Sequence, residues 1–238
     1  MIFKRLLVFF ETKSGLLILG FLATTICGSY LNYQIQTRQS ENEHSFQMYK
    51  TRLSEAKILQ EKLLENSNIR SFYLQQVLTQ FAHPEEFKHA AIEKYWSDHV
   101  TPSKDQWNKD LYHLHAQARA LFTPALADML LVYEETLSRT HDSVIDKFNE
   151  ASYKNSMPRS LHGAFVDTHA TLYYLMTKCK KPGAAECDQP KLLKLAEDQL
   201  NHLEVIQNCL GYRISGELLR YPYGPNANVE IQMPKRCI

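Results

Sequence analysis

Apolar positions fall into two regimes along this chain. Near the N-terminus they run together, in the stretch "SGLLILGFLATTICGSYLNYQ" that begins at Ser14, and beyond it they recur every three or four residues. The first regime is that of a membrane span, which needs about 20 predominantly apolar residues at ~1.5 Å rise each. Residues 14–35 meet that length, and no charge interrupts the chain from Ser14 through Thr37. The second regime is that of amphipathic helices, each with one stripe to bury.

After the span, Phe46, Tyr49, Leu53, Ala56, Leu59 and Leu63 mark one stripe, continued less regularly by Ile69, Tyr73, Val77 and Phe81. No Pro or Gly falls between Ser29 and His83, so the pattern predicts one helix continuing from the span to about Ala82. A short second helix is expected from Pro84 to about His99, because proline suits a first helical turn. A third opens at Ser103, with Gln106 three residues on as a capping box. It carries Trp107, Leu111, Leu114, Ala118 and Leu121. Thr123-Pro124 breaks it, since an internal proline removes a hydrogen bond and clashes with the preceding turn. The period resumes through Leu126, Leu130, Tyr133, Leu137, Val144 and Phe148.

Past "NSMPRS", a fourth helix is expected from about Arg159 to Lys180, with Phe165, Leu172 and Met176 inward. The last helix runs from Gln189 to Leu210, and Gly211 is its natural stop. The tail is rich in turn residues, and its "NVEIQM" suits an edge strand or a wrapped extended segment. The expectation is an all-α fold: an N-terminal transmembrane helix continuing into an antiparallel helical bundle, with an irregular, disulfide-tied C-terminal tail. The divisions are a cytoplasmic N-terminus at 1–13, the span at 14–35, an extracytoplasmic bundle at 36–211 and a tail packed on it at 212–238.

Charge sets the topology. Lys4, Arg5 and Lys13 precede the span against a single Glu11, which places the N-terminus in the cytoplasm and the rest outside. A cleaved signal needs small residues ahead of the scissile bond, and Cys27 and Ser29 serve that purpose poorly. The segment reads as a retained single-pass anchor. Gly20, Thr24 and Gly28 recur every four residues on one face of it, the spacing that lets another helix backbone approach closely in lipid. With no N-x-[ST] sequon, a bacterial inner membrane with a periplasmic bulk fits better than a eukaryotic lumen.

Of five cysteines, Cys27 lies in the span and Cys179, Cys187, Cys209 and Cys237 lie beyond it. Four thiols in an oxidising compartment default to two bridges. Of three pairings, Cys179–Cys187 closes the loop "CKKPGAAEC", and Cys209–Cys237 ties the tail to the last helix. The chain carries 27 Lys and Arg against 26 Asp and Glu. Such a balance gives no electrostatic case for nucleic acid.

Catalytic and phosphate-binding templates are missing: no G-x-S-x-G, H-E-x-x-H or G-x-G-x-x-G occurs. No C-x-x-C supports zinc, and no C-x-x-C-H supports haem attachment, so no cofactor is implied. Glu86, His89 and Glu93 share a helical spacing, as do Asp198 and His202. Two such faces meeting in a bundle are the best metal candidates, yet the carboxylate-bundle pattern needs matching E-x-x-H pairs plus two further inward Glu residues, and the only other E-x-x-H, Glu41 to His44, lies beside the membrane. His162 and His169 stand two turns apart, too far for one metal, and His169 reads as a core histidine.

The expected function is therefore non-enzymatic: a membrane-anchored interaction subunit or scaffold that pairs with other membrane or periplasmic proteins, or with itself through the span. The alternative is an extracytoplasmic bundle that senses a small ligand and signals through a partner. In architecture alone, such a bundle is similar to bacterial chemoreceptor input domains, with no shared motif. A metal-binding carboxylate/histidine bundle is the lesser alternative.

Overall fold

The computed structural model describes residues 13–132, 157–179, 187–220, 234 and 237, with the side chains of 13–28 and 220 outside that description. Its elements are α1 (Lys13–Ala82), α2 (His89–Tyr95), a π-helical turn (Trp96–Val100), α3 (Thr101–Leu121), α4 (Pro124–Leu130), α5 (Leu161–Lys178) and α6 (Gln189–Arg220). The described residues are helical with no strand. Residues 228–233, the expected edge strand, lie outside them, as do Tyr133, Leu137, Val144 and Phe148.

Two compact units divide the chain, residues 1–51 and 52–238. In the first, side chains from Ser29 to Lys50 are exposed apart from half-buried Gln34, Thr37 and Tyr49. Phe46, expected to begin the buried stripe, is 56% exposed. The buried stripe starts further along, at Ala56, Leu59 and Leu63. Among the described residues no helix is long and apolar enough to cross a membrane. The apolar part of the expected span, residues 14–28 with Gly20, Thr24 and Gly28, lies outside the described side chains.

The second unit is a helical bundle. Gln60 Nε2 donates to Ser215 Oγ (3.4 Å), a Cβ on Gly211 would meet Leu64, and Gln207 Nε2 donates to Ser71 Oγ (2.8 Å), so α6 runs antiparallel to α1. α5 is buried nearly all round, from Leu161 to Met176. A helix clothed on every side must be apolar or pair its polar groups internally. Accordingly, Thr168 Oγ1 donates to the Ala164 carbonyl four residues back (2.9 Å). Ser160 starts the helix by accepting from Gly163 N (3.1 Å), an ordinary N-cap.

Four boundaries differ from the sequence expectation. The second helix starts at His89, and Pro84 lies in the turn before it. The capping box at Ser103 does not form, because the π-turn carries helical backbone straight into α3. Ser103 Oγ instead donates back to the Val100 carbonyl (2.9 Å). The fourth helix spans Leu161–Lys178, slightly inside its expected ends.

The largest difference is at Gly211. The last helix passes through it for nine more residues to Arg220, beyond the expected helix end at Leu210. Ile214, fully buried, and Leu218, packed on the core, hold this extension against the bundle and override the glycine's preference to stop. The extension also places Glu217 over the start of α4. Its carboxylate accepts from the Thr123 amide (2.8 Å) and from the Thr123 hydroxyl. A negative group there satisfies an orphan donor and complements the helix dipole.

Gly211 is thus an interior helical glycine whose added Cβ would meet Leu64 Cδ2 at an unstrained 4.0 Å. Replacing it with alanine is expected to stabilise the bundle by about 0.5–1 kcal/mol. A rise in the urea midpoint with an unchanged slope would check this.

Both expected disulfides are present. Cys179 follows the last turn of α5 and pairs with Cys187 at a Cα–Cα distance of 5.4 Å. Cys209 on α6 pairs with Cys237 at 5.3 Å. Both separations lie within the range a bridge spans without backbone movement.

Candidate functional site

The residues singled out as metal candidates do not assemble. Glu86 sits in the turn before α2, so it does not share a helix face with His89. His89 Nε2 lies 3.5 Å from Glu93 Oε1 along α2. Asp198 pairs with Lys194 (3.6 Å), and His202 Nε2 lies 2.8 Å from the Pro158 carbonyl, where it ties α6 to the entrance of α5. Among the described residues, the group with three potential ligand atoms in mutual reach is His83, Glu85 and Glu86, all exposed. Exposed acids beside a histidine are ordinary surface chemistry.

Aromatic side chains collect around the π-turn. The His99 ring stacks on Tyr73 (5.2 Å between centroids) and leans on Tyr95 (4.6 Å). Burial and the neighbouring Tyr73 both push the Tyr95 phenol above its usual range. On the other side of the turn, Trp96 meets His169 (4.7 Å) and Tyr173 (5.8 Å). His169 is half-buried in this ring cluster.

The chemically unusual place is deeper, where α1, α3 and α5 meet. Arg70 is 2% exposed. Its guanidinium carbon lies 4.4 Å from the Phe165 ring centre and 5.9 Å from that of Trp107. Trp107 and Phe165 pack edge to face at 4.9 Å, and both are fully enclosed. Trp107 Nε1 donates to His162 Nδ1 (3.2 Å), which fixes His162 as a neutral imidazole with its proton on Nε2. Burial, and then the Arg70 charge, pull His162 down to about 4. Burial also pulls Arg70 down to about 9, which leaves it cationic at neutral pH.

Sequence reasoning missed Arg70. The stripe drawn there ran through Ile69 and Tyr73, yet Ile69 is 43% exposed. A signal did exist: Ala56, Leu63, Arg70 and Val77 follow at seven-residue intervals, and all four are buried.

His162 makes stability depend on pH. Its folded-state pKa lies below the unfolded value near 6.5, so the unfolded chain takes up a proton the folded chain refuses. The native state should be fully stable above pH 6.5 and lose stability as pH falls toward 4. Between pH 7 and pH 5 the loss is about 2 kcal/mol from this residue. Urea titrations at both pH values measure it, and His162→Gln, which retains an acceptor for Trp107, should remove that part of the slope.

No known protein family matches this chain. No curated protein and no solved structure resembles it significantly.

Proposed function

We propose that this chain is a single-pass, membrane-anchored interaction subunit of a membrane or periplasmic complex, with its N-terminus cytoplasmic and its bundle outside. The observation that carries this reading is the unpacked length of α1 beyond the apolar segment. Tyr30, Leu31, Tyr33, Ile35, Phe46 and Met48 are each at least 49% exposed. A helix without tertiary packing is marginal in water, because most helical stability in proteins comes from burying a face. Tyr30 and Tyr33 suit the interfacial belt at the outer end of a span. Phe46 and Met48 stand beyond it, where a partner protein is the natural cover. Two disulfides fit an oxidising compartment.

Purification from native membranes in mild detergent is expected to yield a complex. A lone monodisperse monomer would overturn the proposal. Replacing Phe46 and Met48 together with glutamate should weaken retention of the partner at least tenfold while leaving the melting of the bundle unchanged. Retention at the original level would place the interface elsewhere.

A second reading, a ligand-sensing bundle that signals through a partner, is favoured by one observation. A buried cation lies between helices and has no carboxylate paired with it among the described residues.

A further inference from the structure

We propose that Arg70 anchors a buried binding site for a small monoanion of the carboxylate class, enclosed by α1, α3 and α5. Nε and Nη1 of Arg70 are both shielded from solvent and have no hydrogen-bond partner among the described residues. A guanidinium is a donor only, and a buried donor left unmet is destabilising, more so when charged. The contacts with Phe165 and Trp107 offset part of this through the attraction of a cation to a ring face. Withdrawing the charge from water carries a desolvation penalty that these contacts do not remove. The balance stays unfavourable until an acceptor of opposite charge joins the site.

The surroundings restrict that acceptor. His162 is neutral and Arg70 contributes one positive charge, so a monoanion neutralises the site and a dianion would leave an excess. The Phe165 ring centre lies 4.4 Å from the guanidinium carbon, so that ring closes one approach to the group. A carboxylate offers two oxygens in the geometry that a guanidinium's paired N–H groups match, which makes it the favoured acceptor. Arg70, Trp107, His162 and Phe165 are all at most 7% exposed, which favours a ligand with only a few heavy atoms.

The probes are sodium formate and sodium acetate, titrated into the full-length protein in detergent with ionic strength held by sodium methanesulfonate. At ten times the dissociation constant, the unfolding equilibrium constant should fall about elevenfold and then saturate. Arg70→Met should abolish the response. An unresponsive wild type, or a response that survives in Arg70→Met, overturns the proposal. So does a tighter response to chloride than to either carboxylate. If Arg70→Met does not fold, the wild type still decides the matter. A bound anion cancels the Arg70 charge felt by His162, so the His162 imidazole resonances should titrate at higher pH with formate present. No change in that titration refutes the site.

Discussion

Replacing Trp107 with alanine is expected to cost about 5 kcal/mol, a large fraction of a typical domain's total stability. Trp107 is 1% exposed, and truncating a buried tryptophan costs about 3–5 kcal/mol through lost burial and the cavity it leaves. Two further losses follow from its neighbours. His162 Nδ1 would lose its donor while remaining buried, and Arg70 would lose one of its two aromatic contacts. A urea titration should show either a collapsed midpoint or no cooperative transition. Trp107→Phe separates the contributions: it retains most of the apolar volume but not the indole N–H. A cost of about 1–2 kcal/mol is expected for that variant, the magnitude of one unmet buried acceptor. Equal costs for the two substitutions would show that the hydrogen bond, rather than the ring, holds this junction.

Breaking Cys209–Cys237 is the second large effect. The bridge joins residues 28 apart in sequence, and closing a loop of that length restricts the unfolded chain by about 3.5 kcal/mol. The double substitution Cys209→Ala/Cys237→Ala should lower stability by roughly that amount. The eight-residue loop of Cys179–Cys187 contributes less, about 2.5 kcal/mol. Denaturation of the oxidised protein and of each cysteine-pair variant ranks the two bridges. The reverse order would mean that the unfolded chain is already restricted near its C-terminus. Cys209 is itself buried at 4% exposure, so its alanine variant also removes some packing.

The helices and both disulfides were legible in the sequence because they rest on local periodicity and on loop length. Leu59 and Leu63, Trp107 and Leu111, and Phe165 and Leu172 are all buried as their spacing predicts. Local rules failed where tertiary contacts outweighed them. Gly211 signals a stop, yet burial of Ile214 carries the helix onward, since a buried isoleucine is worth about 1.5–3 kcal/mol against about 1 kcal/mol for an interior glycine. Ser103 and Gln106 match a capping box, but a cap requires a helix to begin there, and the π-turn leaves no free amides to receive one. Arg70 was hidden because a charged residue is assigned to solvent by default. Only the seven-residue spacing through Leu63 and Val77 marks it as internal, and spacing alone does not show that aromatic rings await it.

The two bridges also decide how this protein would yield to a pulling force. A crosslink between residues 209 and 237 withholds a sequence separation of 28 from any stretched contour, roughly 95 Å of fully extended chain. Tension applied across the termini would bypass that segment and load the helices before it. Adding a reductant during a single-molecule pull should release the hidden length in one step, so thiol chemistry sets how far the molecule can be drawn out.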